Sequence, residues 1–148
     1  MATATRHDAG LARSLTVSFG AVAVPGVVGV SGLGVARDAV EFREGNDPTG
    51  GVRRLPGRLL GGDVTLSRPL TTDQTFESWI RGPGPEGAVV ATREVRIRFF
   101  DRAGSPVRGY RLVGAWPRRL EVTGSTLPGS VGLLELLVVS YDTCVTEA

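Results

Sequence analysis

Apolar and polar residues alternate along much of this chain, a pattern that indicates strands with one buried face. The clearest example is 93–101, in which Val95, Ile97 and Phe99 alternate with charged side chains. A four-residue turn at 102–105 follows and predicts a hairpin with the next strand. Patterns of this kind predict strands at residues 14–24, 27–31, 35–44, 62–70, 93–101, 107–116 and 131–141.

One segment has the periodicity of a helix. Thr71 and Gln74 have the spacing of a capping box, in which each side chain satisfies a backbone N–H of the first turn. The sequence "GPGPEG" at 82–87 then provides a stop, since proline cannot continue a helix. These signals predict a short helix at 72–81. Its apolar stripe consists of Phe76, Trp79 and Ile80.

The predicted fold is mainly β. The last strand, 131–141, is apolar on both faces except for Glu135 and Ser140, as in a strand covered on both sides. We therefore expect two packed antiparallel sheets, as a β-sandwich or open barrel, with one short flanking α-helix. Residues 14–148 are long enough for a single domain with its own core. Residues 1–13 are predicted to be a flexible N-terminal arm.

A polar segment at 45–61 interrupts this order of strands. The wider stretch 41–62 contains six glycines, two prolines and four arginines. A long insertion without secondary structure is uncommon in a compact domain and is usually functional or disordered. It is not a P-loop, because it has no lysine and a strand rather than a helix follows it. We interpret it as an excursion that reaches a neighbouring subunit.

The chemistry of the chain argues against an enzyme. The single histidine, His7, lies in the predicted arm, and the single cysteine, Cys144, lies near the end of the chain. These two residues cannot supply a catalytic pair or a zinc site. We expect no catalytic residue, cofactor or metal.

Charge and hydropathy restrict the partners of the chain. All 17 basic residues are arginine, but the formal net charge is only +2 and the arginines are dispersed. Neither a concentrated basic face nor interleaved aromatic residues mark a nucleic-acid site. The uncharged stretch 14–36 is broken by glycines and alternates like a strand, so we expect neither a signal peptide nor stable membrane association.

The order of several short motifs resembles the phage tail-tube protein family, the T4-like tail-tube group that includes inner-tube subunits of extracellular contractile injection systems. The resemblance covers about residues 15–142. The motifs are "VSGL" (30–33), "VEFREGND" (40–47), "RRLPG" (53–57), "VTLSRPL" (64–70), "WI" (79–80), "VRIRFFDRAG" (95–104), "AWP" (115–117) and "LELLVVSYD" (134–142).

The resemblance implies a structural function. Six subunits would close into a ring, and rings would stack into a hollow tube inside a contractile sheath, joined to a baseplate and with room for cargo in the lumen. The segment 45–61 would be an extended hairpin or loop that contacts neighbouring subunits. The expected inter-subunit contacts are Glu41, Arg43, Asn46, Asp47, Arg53, Arg54, Leu55 and Pro56.

Two departures from the family pattern leave alternatives open. The stretch 15–33 is less polar than the family's first strand, and "SRPL" at 67–70 replaces the usual Arg-Gly. A second tube paralogue or the tube initiator at the baseplate is therefore an alternative to the main tube subunit. A different class of function is a small monomeric β-barrel that binds a ligand. We expect assembly in the cytoplasm, followed by release as an extracellular particle or action as a membrane-associated machine.

Overall fold

A computed structural model describes residues 14–46, 48–83, 89–124 and 132–147. The predicted arm at 1–13 and most of the helix stop at 82–87 lie outside these ranges. The elements are β1 (Ser14–Phe19), β2 (Val22–Val24), β3 (Gly29–Ser31), β4 (Ala36–Phe42), β5 (Arg53–Leu60), β6 (Gly62–Pro69), α1 (Thr75–Arg81), β7 (Arg93–Phe100), β8 (Pro106–Gly124), β9 (Leu133–Tyr141) and β10 (Thr143–Glu147).

The long strand β8 belongs to two antiparallel sheets. Its first part pairs with β7 on one side and with β10 on the other, and its second part pairs with β9. The strand order is β2-β1-β7-β8-β9-β6-β3. Gly114 lies where the pairing of β8 passes from β7 and β10 to β9. It has a φ of 67°, a conformation that favours glycine, and it packs closely against the Asp142 side chain. The prediction of two antiparallel sheets with one short helix is confirmed.

The buried apolar side chains of the described residues form one hydrophobic core, to which both sheets and α1 contribute. Val95 and Ile97, which alternate with charged residues in the predicted strand 93–101, are fully buried in β7, and Val64 and Leu66 are fully buried in β6. Helix α1 adds Phe76 and Trp79, and the ring centroids of Phe19 and Trp79 are 4.5 Å apart. The remaining buried core residues are Val17, Phe19, Val24, Val27, Leu112, Ala115, Leu137, Val139 and Tyr141.

The helix begins three residues later than predicted, and the proposed capping box is wrong. Gln74 is the N-cap residue but makes no side-chain capping bond. Instead, the Thr71 hydroxyl accepts the Asp73 N–H at 3.1 Å, and the Asp73 carboxylate accepts the Thr75 N–H at 3.2 Å. A short acidic side chain reaches the first-turn donors directly, so a two-residue turn replaces the box.

Three strand predictions also need correction. Residues 14–24 form two strands, because Gly20 has a φ of 60° and turns the chain back on itself. Strand β8 continues past 116 to Gly124, with Pro117 accommodated beside a register shift. The pattern did not predict β10. In β9 the core face is buried, whereas the outer face is only half-buried at Leu136 and Val138.

A buried ion cluster connects the sheets to the helix. Arg68 is fully buried, and its Nε donates to Glu135 Oε2 at 2.9 Å. Its Nη1 donates to Asp73 Oδ2 at 2.8 Å, and its Nη2 donates to the Asp73 carbonyl at 2.9 Å. The guanidinium also lies 4.1 Å from the ring centroid of Phe76. One side chain on β6 therefore contacts β9, the helix and the turn that precedes it.

Removing Arg68 should destabilise the protein strongly. Arg68→Ala leaves the buried Glu135 carboxylate without a counter-charge, and breaking such a pair typically costs about 3–5 kcal/mol. Urea unfolding of the two proteins measures the difference in free energy of unfolding. The control is Arg118→Ala, which breaks the exposed 2.7 Å pair with Asp63 and should cost about 1 kcal/mol or less. Equal losses in the two variants would contradict the role given to the buried cluster.

The cluster also predicts acid sensitivity. The hydrogen bond from Arg68 holds the pKa of Asp73 below its ordinary value of 3.8. Because the folded-state pKa is the lower one, the stabilisation is present above the unfolded pKa and is lost as the pH falls through the folded value. We expect Asp73→Asn to be less stable at neutral pH and to lose less stability on acidification below about pH 4. Urea unfolding from neutral pH to below about pH 4 measures the free energy of unfolding of each protein, with Glu121→Gln as the surface control. If this free energy falls in parallel for Asp73→Asn and wild type, the prediction is wrong.

Candidate assembly surface

Strands β4 and β5 form a two-stranded antiparallel ribbon that is separate from the main sheets. The strand predicted at 35–44 is confirmed as β4, and the segment 45–61 is not a loop throughout, because about half of it forms β5. A register shift in the pairing breaks the alternation of β5, which explains why the sequence pattern did not reveal a strand. Residues 43–46 and 48–52 lie in the connection at the tip. Of the two shapes implied by the family resemblance, the hairpin is the correct one.

The ribbon does not bury its apolar side chains within the chain. All of β4 is exposed, and in β5 only Gly57 is half-buried. The large apolar side chains on the ribbon have exposed fractions between 38% and 48%. They are Val40, Phe42, Leu55, Leu59 and Leu60.

Both faces of the ribbon carry apolar residues. Val40 lies directly opposite Leu55, so these side chains share a face with Phe42. Pro56 and Leu59 lie on the other face, because they pair with the intervening residues of β4. A two-stranded ribbon cannot cover either of its own faces, and an isolated hairpin is at best marginally stable in water. Apolar surface of this kind marks a site of interaction.

Polar contacts shape the ribbon but do not cover it. Arg37 Nη1 donates to the Gly57 carbonyl at 2.8 Å and braces the irregular part of β5. Glu41 Oε1 and Arg54 Nε are 4.0 Å apart, and both side chains are largely exposed. An exposed pair of this kind contributes little stability. The charged side chains therefore remain available to a partner.

The root of the ribbon is held against the end of β9. The Tyr141 hydroxyl donates to the Gly34 carbonyl at 3.0 Å, and Gly61 packs against the Tyr141 carbonyl. Burial raises the pKa of Tyr141 above its ordinary value of 10.0, so the phenol remains a hydrogen-bond donor at neutral pH. The ribbon thus leaves the two-sheet body at a defined point.

The structure brings most of the predicted contact residues together on this ribbon. Asp47 lies outside the described residues. The others are all exposed, with five in the paired strands and two at the tip. The predictions did not include the apolar residues Val40, Phe42, Leu59 and Leu60, although the alternation of Val40 and Phe42 marked the strand. The predicted contacts that are described are Glu41, Arg43, Asn46, Arg53, Arg54, Leu55 and Pro56.

A second surface consists of arginines on the outer face of β7 and β8. Arg96 and Arg111 lie opposite each other, and each has a carboxylate nearby, Glu94 at 2.9 Å and Glu147 at 3.7 Å respectively. Arg108 does not belong to this face, because it is three residues from Arg111 on the same strand. It pairs with Phe99, whose side chain lies on the core side of the sheet.

The described residues hold no group of three or more histidine, cysteine or carboxylate side chains that could bind a metal. Cys144 is half-buried in β10, and burial raises the pKa of its thiol above 9.0. This thiol is therefore a poor nucleophile at neutral pH. No helix among these residues is long and apolar enough to cross a membrane.

Solved structures of contractile injection systems have the same fold. A chain of the anti-feeding prophage cap (AFP tube terminating cap) is 20% identical, covers 100% of this chain and 96% of its own, and has a TM-score of 0.79. A chain of the PVC sheath/tube terminator in the extended state is 21% identical, covers 98% of this chain and 100% of its own length, and has a TM-score of 0.77. A chain of the PVC sheath-tube complex in the extended state is 20% identical, covers 90% of this chain and 88% of its own length, and has a TM-score of 0.73.

The sequence comparison agrees with the fold. No curated protein sequence matches the chain. Residues 14–128, more than three quarters of the chain, match the model of the T4-like virus tail tube protein gp19 family. The resemblance found in the short motifs is confirmed. The chain therefore belongs to the T4-like virus tail tube protein family, whose members are structural tube proteins and not enzymes.

Proposed function

We propose that this chain is the inner-tube subunit of a contractile injection system or phage-tail-like particle and assembles as stacked hexameric rings. The observation that carries the proposal is the ribbon, whose two faces expose apolar side chains that the subunit cannot cover. Burial of an exposed Val, Leu or Phe side chain contributes about 1.5–3 kcal/mol. Contact with another subunit would thus supply both the missing cover and a driving force for assembly.

The sheets offer a second means of association. Among the described strands, β2, β3 and β10 each pair on one side only. Such edges bind further strands through main-chain hydrogen bonds unless they are blocked. Contacts between two different surfaces of identical subunits close into rings or continue as filaments, depending on the rotation between neighbours. A ring that stacks uses both kinds of contact.

The proposal includes the partners of such a tube. A sheath surrounds it, a baseplate or tube initiator joins one end, and cargo can occupy the lumen. The similar PVC chain comes from a complex described as sheath and tube, which supports the sheath as a partner. Assembly takes place in the cytoplasm, and the finished particle acts after release or as a membrane-associated machine. The particle of that PVC complex is described as extracellular, which favours release.

A second candidate is a subunit that begins or ends the tube. The two highest TM-scores reported above belong to chains from the tube-terminating cap and the sheath/tube terminator, with almost complete coverage on both sides. Such a subunit would form single rings and would need the main tube protein for elongation. The length of the assembly formed by the pure protein therefore separates the two candidates.

Negative-stain electron microscopy of the purified protein, with light scattering on the same sample, tests the proposal. Hollow tubes of sixfold symmetry support the main tube subunit, and single sixfold rings support the terminal subunit. A monomer that persists after addition of baseplate extract would overturn both and favour the monomeric ligand-binding module.

The ribbon should control assembly without controlling the fold. In Val40→Ser/Leu55→Ser, two apolar side chains that face each other across the ribbon become polar. We expect unchanged unfolding by urea, because neither residue is in the core, and an assembly threshold raised at least tenfold. Light scattering over a concentration series measures this threshold. The control is Val89→Ser, at a valine that is 92% exposed outside the ribbon. Equal assembly thresholds in wild type, Val40→Ser/Leu55→Ser and Val89→Ser would show that the ribbon does not drive assembly.

A further inference from the structure

An apolar groove of about 390 Å³ lies where the edge strand β3 approaches the end of the β7–β8 hairpin. Val30, Leu33 and Phe99 in its wall also pack against the core, so that side of the groove is firmly supported. The lining residues are Val30, Gly32, Leu33, Phe99, Val107, Arg108 and Tyr110.

The groove combines an apolar floor with one cation. The rings of Phe99 and Tyr110 meet edge to face, with centroids 6.3 Å apart. Arg108 is exposed, and its Nη1 makes only a long contact of 3.5 Å with the Tyr110 hydroxyl. Among the described residues Arg108 has no carboxylate partner. The groove therefore suits an apolar side chain that is accompanied by a carboxylate.

The ribbon has this chemistry. Val40, Phe42 and Leu55 lie on one of its two faces, and Glu44 follows two residues after Phe42. Glu44 is exposed and makes no salt bridge among the described residues. The ribbon therefore presents apolar side chains and an available carboxylate close together in the sequence.

The groove of a subunit cannot be filled by its own ribbon. The ribbon begins at Ala36, three residues after Leu33 in the groove wall, and none of the residues of β4 or β5 lines the groove. At about 3.4 Å per residue, Val40 and Phe42 lie about 14–20 Å along the ribbon from Ala36. A second copy of the chain is therefore the source of a ribbon that could enter the groove.

We propose that the groove of one subunit receives the ribbon of a second subunit. The ribbon would enter with the face that carries Val40, Phe42 and Leu55, and with Glu44 directed towards Arg108. This inference rests on the proposed assembly function and specifies the surface that the ribbon contacts. Ribbon and groove are different surfaces of one chain, so their contact is heterologous and can repeat from subunit to subunit.

Residue-specific cross-linking tests the contact. Cys144→Ser removes the native thiol, and Val40→Cys places a thiol on the ribbon. A second thiol is placed at Val107→Cys, in the groove, or at Val113→Cys as the matched control. Val107 and Val113 lie on β8 with exposed fractions of 47% and 40%, but Val113 is outside the groove. Each assembled protein is treated with a short bis-maleimide and analysed by denaturing electrophoresis and electron microscopy.

The proposal predicts a ladder of covalent oligomers for Val40→Cys/Val107→Cys and at least a tenfold weaker ladder for Val40→Cys/Val113→Cys. If rings or tubes form but Val40→Cys/Val107→Cys gives no ladder, or both pairs of cysteines give equal ladders, the contact between ribbon and groove is wrong. The proposed assembly function would then still stand. Failure of both proteins and of the Cys144→Ser parent to assemble would overturn the assembly function and the groove contact together.

Discussion

The buried charge of Arg68 is the interaction on which the arrangement of sheets and helix depends. A guanidinium without water is costly unless carboxylates and carbonyls satisfy it, and here its partners come from three separate parts of the fold. Glu135 approaches from β9, Asp73 from the start of α1, and the Pro25 carbonyl from the turn after β2. Displacing any of these elements would leave a buried charge with fewer partners. The cluster therefore favours one arrangement of both sheets and the helix over other ways of packing the same apolar surfaces.

The ribbon is the opposite case, because its stability is not completed within the chain. The two-sheet body buries its apolar face and pairs its buried charges, whereas β4 and β5 expose apolar residues on both sides. Its root is nevertheless held by Tyr141 and Gly61, so the ribbon leaves the body at a fixed place. A rigid body with a projecting, uncovered ribbon is well suited to assembly, since binding need not reorganise the core.

The sequence pattern was most informative where strands bury one face. In β6 and β7 the inward residues were predicted correctly, because their alternation follows directly from the two-residue period of a strand. The pattern was less informative for β5, whose register shift breaks that period, and for β10, which is a short edge strand beside β8. The helix start was misplaced because Thr71 and Gln74 have the spacing of a capping box, whereas the Asp73 carboxylate accepts the Thr75 N–H instead. Only the position of Arg68 shows why Asp73 has that role.

The sequence by itself determined the fold class, the alternating core positions, the absence of a plausible catalytic pair and, through the order of its motifs, the tail-tube family. The fold class and the core positions follow from local periodicity, and the lack of a catalytic pair follows from residue type, whereas the family follows from the resemblance of the motifs to known tail-tube proteins. Tertiary structure alone decided that Glu135 pairs with Arg68 across 67 residues, that Arg96 on β7 shares a face with Arg111 rather than with Arg108, and that the polar segment supplies one strand of an exposed ribbon. Each of these depends on strand register and on which distant strands become neighbours. A shift of one residue in register moves a side chain to the opposite face, and local sequence does not specify the register between distant strands.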